Sequence, residues 1–278
     1  MRGTRALEGA TAVVTGAGSG LGRAFSVELG KLGGRVLAAD IDGASAHETV
    51  ALIEREGGQG RALEVDVRSS EQVTAMAGEA RELFGDTDLL VNNAGIGAGG
   101  PFDEVTLEDW KQTVDVNLWG VVYGCHAFVP AMKARGRGFV INVASSAGLL
   151  SLPDMSPYNV TKAGVVALSE TLHAELRTHG VHVSVLCPTF FTTRIMESAR
   201  GPVDRDTRAA VQKLMARSKI QAPDVARAAL AAVVDNDPYC IPMRDGRMLW
   251  RLKRALPSRF YDVLARMDQR RMFQRFAR

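Results

Sequence analysis

Short apolar runs alternate with helical stretches along the whole chain. The runs are rich in valine, leucine, isoleucine and alanine, and they lie at about 11–15, 35–39, 61–65, 88–91, 138–143, 181–187 and 239–241. Strands that are apolar throughout are typical of a parallel sheet with helices on both faces. The pattern predicts an α/β fold with one doubly wound parallel sheet of about seven strands, and a ligand at the carboxyl ends of those strands.

A glycine-rich turn follows the first apolar run. It reads Thr15-Gly16-Ala17-Gly18-Ser19-Gly20-Leu21-Gly22, and a helical pattern follows it. Glycines let the backbone turn tightly and approach a pyrophosphate, and the unpaired amides of the helix N-terminus attract that anion. The strand and helix on either side make an ordinary turn the weaker interpretation. We expect a dinucleotide here, bound by Gly16, Ser19, Gly20, Leu21 and Gly22.

Asp40 ends the second apolar run, where it can select the cofactor. Its carboxylate can accept hydrogen bonds from both hydroxyls of an adenosine ribose, but it would repel a 2′-phosphate. The sequence therefore predicts NAD, with NADP as the less favoured alternative. Arg23 and Arg35 are the cations near enough in the sequence to offset that repulsion.

Tyr158 and Lys162 are four residues apart and share one face of a predicted helix. An ammonium about 4 Å from the phenol would favour phenolate by about 4 kcal/mol at an effective dielectric of about 20, which is about three pKa units. Tyr158 could then act as an acid and base near neutral pH. Such pairs also occur on many solvated helices, so the interpretation depends on the nucleotide loop.

These residues resemble the short-chain dehydrogenase/reductase family from about Gly9 to about Val234. Further motifs carry the resemblance, and they follow one another along the chain in the order that the family has. They are Asp66-Val67, Asn92-Asn93-Ala94-Gly95, Val116-Asn117-Leu118-Trp119-Gly120, and Ser145 thirteen positions before Tyr158. The resemblance implies a single Rossmann domain, a homodimer or homotetramer, and cofactor contacts from several further residues. These are Asp66, Val67, Asn93, Ala94, Gly95, Tyr158, Lys162, Pro188 and Thr193.

The family mechanism implies four catalytic residues. Tyr158 would exchange the hydroxyl proton, and Ser145 would hold the substrate oxygen. Lys162 would lower the pKa of Tyr158 and bind the nicotinamide ribose. Asn117 would hold a water that relays protons. Alternatively, its side-chain amide could have a structural role alone and satisfy backbone groups in a bent helix. Thr189 departs from the pattern, because the family usually has glycine after Pro188.

An apolar pocket is expected beside this centre. By resemblance it is lined by Leu149, Leu150, Leu152, Met155, Phe190, Phe191, Ile195 and Met196, with Ser145, Leu150, Tyr158, Phe190 and Phe191 as substrate contacts. The sequence favours a hydrophobic secondary alcohol or ketone as substrate, beneath a helical lid at about 192–219. A 3-oxoacyl-thioester or 3-hydroxyacyl-CoA oxidoreductase is an alternative, and a dinucleotide-sensing or scaffold protein is an alternative of another class.

The sequence predicts a catalytic domain of residues 1–250, followed by a basic tail of residues 251–278. The cofactor half of the domain is at about 9–145, and the substrate half is at about 145–250. The tail holds nine Lys or Arg against Asp262 and Asp268, whereas the whole chain carries only +3. Its stripe of Phe260, Val263, Leu264 and Met267 could lie on an anionic membrane, sit beside CoA phosphates, cover a subunit contact, or simply pack beneath a solvated basic face.

The remaining composition narrows the class of protein. The three cysteines are far apart and show no metal spacing, so we expect no metal and a reducing cytoplasmic location. No long apolar stretch or leader pattern is present, which argues against a signal peptide or a spanning helix. Positive charge concentrated in the tail, without a reading motif, argues against nucleic-acid binding.

Overall fold

The computed structural model describes residues 4–266 and contains one seven-stranded, fully parallel sheet. Its strand order is β3-β2-β1-β4-β5-β6-β7. The strands are β1 Thr11–Thr15, β2 Arg35–Asp40, β3 Gln59–Glu64, β4 Leu89–Asn92, β5 Gly138–Val143, β6 Val181–Leu186 and β7 Tyr239–Cys240. The predicted doubly wound α/β fold is confirmed.

Eleven α-helices accompany the sheet within the described residues. They are α1 Gly20–Lys31, α2 Gly43–Arg55, α3 Ser70–Phe84, α4 Leu107–Val114, α5 Gly120–Arg135, α6 Ser146–Leu150, α7 Ser156–Leu176, α8 Arg205–Arg217, α9 Ala222–Val234, α10 Arg244–Ala255 and α11 Pro257–Ala265. None of the helices in residues 4–266 combines the length and apolarity needed to cross a bilayer.

Alternate side chains of the strands build two hydrophobic cores, one on each face of the sheet. Val13 of β1 points into the core that contains residues of α3, α5 and α7, whereas its neighbours Ala12 and Val14 point into the core that contains residues of α1 and α9. Strands buried on both faces explain why the apolar runs are continuous rather than alternating. β7 is an edge strand of only two residues, which pair with Val185 and Leu186 of β6.

The crevice for a ligand lies where the strand order reverses. β1 has β2 on one side and β4 on the other, so the connections from these strands leave in opposite directions. The chain turns sharply after β1, and Gly16 and Gly20 adopt positive φ of 63° and 51°, which L side chains rarely adopt. Gly22 lies beneath this turn.

A one-turn π-helix, Asp115–Trp119, interrupts the long helix formed by α4 and α5. The amide of Gly120 donates to the carbonyl of Asp115, five residues earlier. Such widened turns occur frequently at functional sites because they displace backbone and side chains from ordinary helical positions. Here the π-helix carries Asn117, so the helical geometry is irregular at this asparagine motif.

The first part of the basic tail folds back onto the domain as the end of α10 and α11. Phe260 and Leu264 are buried in the same core as α7, whereas Val263 is exposed. Half of the predicted apolar stripe is therefore covered by the chain itself and is not available to a membrane. Met267 and Asp268 lie outside the described residues.

Glycine at position 22 is required by backbone contact. A β-carbon there would lie 2.0 Å from the carbonyl oxygen of Gly16. We predict that Gly22→Ala destabilises the fold by about 3 kcal/mol and disrupts the turn after β1, because a backbone atom cannot give way as a side chain can. Urea unfolding of the purified variant measures the change.

Gly78→Ala is the matched control. Gly78 is an exposed residue inside α3, with no atom within 4 Å of its β-carbon position. The same added methyl group should stabilise the protein there by about 0.5–1 kcal/mol, because alanine favours helix. Equal effects of the two substitutions would contradict the close contact at Gly22.

Candidate active site

A cleft of about 1180 Å³ opens at the carboxyl ends of the strands. It brings together most of the residues that the sequence analysis singled out. The predicted site residues that line it are Gly16, Ser19, Gly20, Leu21, Asp40, Asp66, Val67, Asn93, Ala94, Gly95, Ser145, Tyr158, Lys162, Pro188, Phe190, Phe191 and Thr193. Gly22, Asn117 and Leu150 are not among the lining residues.

The Asn92–Gly95 segment holds the glycine turn in place. The side-chain amide of Asn93 donates to the carbonyls of Thr15 and Gly16 at 2.9 and 3.1 Å. In return the hydroxyl of Thr15 accepts from the backbone amides of Asn93 and Ala94. The ends of β1 and β4 are thereby joined beneath the cleft, which fixes the path of the turn.

The N-terminus of α1 is open to the cleft. Ser19 is its N-cap residue, but the serine side chain makes no capping hydrogen bond. Thr193, in the loop after β6, lies across from the turn, and its β-carbon is 3.8 Å from where a β-carbon of Gly20 would be. Open amides and the positive end of a helix dipole, faced by a hydroxyl, suit the pyrophosphate of a dinucleotide.

Two backbone amides fix the carboxylate of Asp40 at the edge of the cleft. Gly18 donates to Oδ2 at 2.7 Å and Asp42 donates to Oδ1 at 3.0 Å. Arg23 donates to Thr49 and Glu48 of α2 and also to the carbonyl of Gly18 in the glycine turn. Arg35 begins β2 and therefore lies at the opposite end of the strand from Asp40.

Arg194 is a cation at this edge that the sequence analysis missed. It lines the cleft and pairs with Glu197 at 2.7 Å. The pKa of its guanidinium is raised, first by Glu197 and to a smaller extent by the charges of Asp42 and Asp40. Its position directly after Thr193 was the available signal.

Asp66 already has a charged partner. Arg68 donates to both carboxylate oxygens, with the closest contact at 2.6 Å, and this hydrogen bond lowers the pKa of Asp66. Arg68 also lines the cleft. An adenine base in this part of the cleft would therefore meet an ion pair and not an isolated carboxylate.

The three central side chains come from two adjoining helices. Tyr158 and Lys162 lie four residues apart on α7, as predicted, and Ser145 is the N-cap of α6. The ammonium of Lys162 donates to the carbonyl of Val143 at 2.9 Å and lies 5.7 Å from the centre of the Tyr158 ring. Ser145 accepts from the amide of Ala147 at 3.1 Å and is hydrogen-bonded to Tyr158.

Burial dominates the titration of this pair. It raises the pKa of Tyr158 to about 12, against a smaller lowering by the hydrogen bond from Ser145. It lowers the pKa of Lys162 to about 8. The sequence analysis expected the lysine to lower the tyrosine pKa, but here the loss of water around each group is the largest effect on its pKa. The phenol therefore stays protonated at neutral pH, whereas Lys162 keeps its proton up to about pH 8.

Asn117 acts as a backbone clamp behind the cleft. It is fully buried, and its amide accepts from the N–H of Ile96 at 2.8 Å and donates to the C=O of Ile96 at 2.9 Å. Both polar groups of Ile96 are thereby satisfied by one side chain, which fixes the loop after β4. The backbone groups that Asn117 binds belong to a loop and not to its own helix, and the proton relay stays a prediction.

The apolar wall differs in part from the one expected. Leu149 and Leu150 are buried in the core beneath the cleft, because α6 turns their side chains inward. Val211 and Met215 of α8 line the cleft instead. Their spacing of four on a helix was a signal for an inward face that the sequence analysis did not use. The other six predicted wall residues do line it, namely Leu152, Met155, Phe190, Phe191, Ile195 and Met196.

Backbone contacts hold the lid segment against the opposite wall. Ala98 and Arg200 form an isolated β-bridge, and Gly97 and Gly99 bond the backbone of Arg200 at 2.9 and 3.0 Å. Arg208 of α8 donates to the carbonyl of Met196 at 2.7 Å. The segment between β6 and α8 therefore covers the apolar end of the cleft. Within residues 4–266 no cluster of three His, Cys, Asp or Glu could hold a metal ion.

The buried lysine makes stability depend on pH. Below pH 8 Lys162 is protonated in both states, whereas between its folded pKa of about 8 and its ordinary value of 10.5 only the unfolded chain keeps the proton. The free energy of unfolding therefore rises with pH in this window, by at most about 1.4 kcal/mol per pH unit. We predict that wild type gains stability relative to Lys162→Met as the pH is raised. A pH-independent difference in urea unfolding would contradict the burial of this charge.

Three comparisons with known proteins agree with this geometry. The family model described as short chain dehydrogenase matches residues 10–203. The chain is 37% identical over 238 residues to 3beta-hydroxysteroid dehydrogenase 1 of Eggerthella lenta, covering 84% of this chain and 90% of that protein. It is 34% identical over 223 residues to D-threitol dehydrogenase of Mycolicibacterium smegmatis, covering 80% and 85%.

A solved structure shares the fold. The crystal structure of a short chain dehydrogenase/reductase from Burkholderia phymatum, in complex with NAD, superimposes with a TM-score of 0.83 at 36% identity, covering 90% of this chain and 94% of that one. The residues that the family model matches include β1 to β6, the glycine turn and the Tyr158 helix. The chain therefore belongs to the short-chain dehydrogenase/reductase family, and this membership supports an oxidoreductase that acts on CH–OH groups.

Proposed function

We propose that this protein is an NAD(H)-dependent oxidoreductase that interconverts a hydrophobic secondary alcohol and its ketone, with Tyr158 as acid and base. The observation that carries the proposal is the convergence of Tyr158, Ser145 and Lys162 at the apolar end of a cleft whose other end suits a dinucleotide. A bound nicotinamide would supply the hydride chemistry. The residues of the chain position the groups and move the proton.

Ser145 has its hydroxyl proton available for the substrate. Its oxygen already accepts from the amide of Ala147, so the hydroxyl can donate to Tyr158 or to a substrate oxygen beside it. As negative charge develops on that oxygen, this donor stabilises it without reorganisation. Tyr158 then exchanges the proton at its phenolic oxygen.

Tyr158 is set up as a proton donor. Burial raises the pKa of its phenol to about 12 and favours the protonated form, which is the acid that ketone reduction needs. Alcohol oxidation needs phenolate, and the ammonium of Lys162 is the nearby cation that would stabilise it. Both directions use the same three side chains.

Asp40 supports a preference for NAD. Its carboxylate is held at the cleft edge by the amides of Gly18 and Asp42, where it would meet the adenosine ribose. Arg23 does not line the cleft, because its guanidinium is bonded to the carbonyl of Gly18 and to Glu48 of α2. Arg35 lies at the far end of β2. The guanidinium of Arg194 could favour NADP, because it lines the cleft near Asp40. Its charge is already paired with Glu197, and it also interacts with Asp42 and Asp40.

The wall of the substrate end supports an apolar substrate. Met155 and Ile195 pack beside Tyr158 itself, and Phe190 with Val211 and Met215 of α8 extends the apolar surface. The two relatives are named for a steroid and for a small polyol, so their names favour neither apolar nor polar substrates. The preference for hydrophobic alcohols comes from the residues of the cleft wall.

The other candidate functions have less support. None of the tail cations that the structure describes, Arg251 to Arg266, lines the cleft, so nothing there favours CoA phosphates. A sensing or scaffold protein is not expected to keep Tyr158, Lys162, Ser145 and Asn117 together.

A homodimer or homotetramer is part of the proposal. Trp119 and Val160 are 46% and 53% exposed, and Trp119 stacks on Tyr123 with 5.6 Å between ring centres. Large apolar side chains exposed on helix surfaces favour a subunit contact. Size-exclusion chromatography with light scattering measures the assembly.

Turnover assays test the proposed function. Purified protein is offered NAD or NADP with steroidal, terpenoid, aryl and acyl-CoA secondary alcohols and with sugar alcohols, and absorbance of the reduced cofactor is followed. We expect turnover of one apolar class, with kcat/KM at least about tenfold higher for NAD, since a like charge near the 2′-phosphate costs about 1–4 kcal/mol. Turnover confined to sugar alcohols would overturn the apolar substrate, and a preference for NADP would overturn the role of Asp40.

Tyr158→Phe tests the acid-base role. We predict that kcat falls about 10²- to 10⁴-fold, because the proton donor is lost, while affinity for NADH is unchanged. Tyr123→Phe is the control, because Tyr123 lies on α5 outside the cleft. Near-normal kcat in Tyr158→Phe would remove the phenol from the mechanism.

A further inference from the structure

The helix that begins at Ser145 is too short to hold itself in place. α6 spans only Ser146–Leu150, and the residue that ends it, Ser151, has φ of 53°, a conformation that serine rarely adopts. Helices of one turn are unstable in isolation, and their last carbonyl groups need partners from elsewhere. The position of Ser145 therefore depends on what holds α6.

α7 holds one side of α6 through backbone contact. A β-carbon on Gly148 would lie 2.5 Å from the carbonyl carbon of Lys162, so only glycine allows this approach. Any tilt of α6 thus changes the distance between Ser145 and the residues of α7. The C-terminal end of α6 has to be fixed separately.

The C-terminal helices fix that end. The ammonium of Lys253 in α10 donates to the carbonyl of Leu149 at 2.7 Å, and the hydroxyl of Tyr261 in α11 donates to the carbonyl of Leu150 at 3.4 Å. The ammonium also lies 5.3 Å from the centre of the Tyr261 ring. A cation at the negative end of a helix both caps the carbonyls and complements the dipole.

The start of α10 contacts the opposite wall of the cleft. Asp245 accepts from the hydroxyl of Thr189 at 3.3 Å, and a β-carbon on Gly246 would lie 2.8 Å from the methyl group of Thr189. Thr189 is the residue that replaces the usual glycine of the family in the loop after β6. α10 therefore connects both walls of the active site, and the unusual threonine is one of its contacts.

We propose that α10 and α11 form a brace for the active site and that Lys253 is a positioning residue, which sets the hydroxyl of Ser145 through the carbonyl end of α6. The catalytic part of this inference rests on the proposed function. The first part of the basic tail thus supports the active site of its own chain. Lys253 caps the carbonyl end of α6 and is not available to bind an outside partner.

Lys253→Met removes the ammonium and keeps most of the side-chain volume. With NAD and an alcohol that wild type turns over, we expect kcat to fall about 10- to 100-fold, because small displacements of a catalytic group have effects of that size, while the KM for NAD is unchanged. Lys253→Arg should restore most of the loss. Arg251→Met is the matched control, an exposed arginine on the same helix, and should behave as wild type.

Two further measurements separate positioning from general destabilisation. In a Ser145→Ala background, Lys253→Met should cause no additional loss of kcat, because the hydroxyl that it positions is absent. Hydrogen exchange of the α6 amides should become at least about fivefold faster in Lys253→Met and stay unchanged in Arg251→Met. Tyr261→Phe, which removes one hydroxyl, should show the same changes with smaller size.

The outcomes distinguish this proposal from the proposed function. If wild type turns over no alcohol, the proposed function fails, and the exchange rates of α6 alone decide whether the brace exists. If wild type is active and Lys253→Met keeps both its kcat and its exchange rates, the brace is overturned and the proposed function stands. An equal loss of kcat with and without the Ser145 hydroxyl would overturn the positioning role.

Discussion

The buried ammonium of Lys162 is the group around which the candidate active site is organised. It donates to the last residue of β5, lies over the Tyr158 ring, and is 3.4 Å from where a β-carbon of Gly95 would be, in the loop after β4. Burying a charge is costly, and the lowered pKa of Lys162 reflects that cost. This buried charge lies where the cleft meets the carboxyl end of β5.

Most other contacts of the site keep neighbouring backbone segments in a fixed relation to that lysine. Asn117 clamps Ile96, Asn93 joins the ends of β1 and β4, and Gly148 lets α6 approach the backbone of Lys162. Each is a short-range contact between elements that are distant in sequence. Their shared consequence is that Ser145, Tyr158 and the glycine turn face one cleft in an arrangement set by backbone contacts.

The prediction from sequence was most complete where a single physical rule explains why a residue type stands at its position. Continuous apolar runs gave the parallel sheet, positive φ explains Gly16 and Gly20, and the spacing of four placed Tyr158 and Lys162 on one helical face. The expectation for the tyrosine pKa was different in kind, because it assumed that attraction between the pair outweighs burial. How much water two side chains lose depends on the whole fold around them.

The sequence by itself determined the fold class, the glycine turn and the helical face that Tyr158 and Lys162 share, because these follow from local spacing and from periodic burial. Most other residues of the cleft were expected only from the resemblance to the family. Only the tertiary structure decided that Leu150 belongs to the core, that Val211 and Met215 form the wall, and that Lys253 caps the Ser145 helix. Those assignments depend on how helices far apart in the chain pack together. A basic residue reads the same in a sequence whether it faces solvent or the end of another helix.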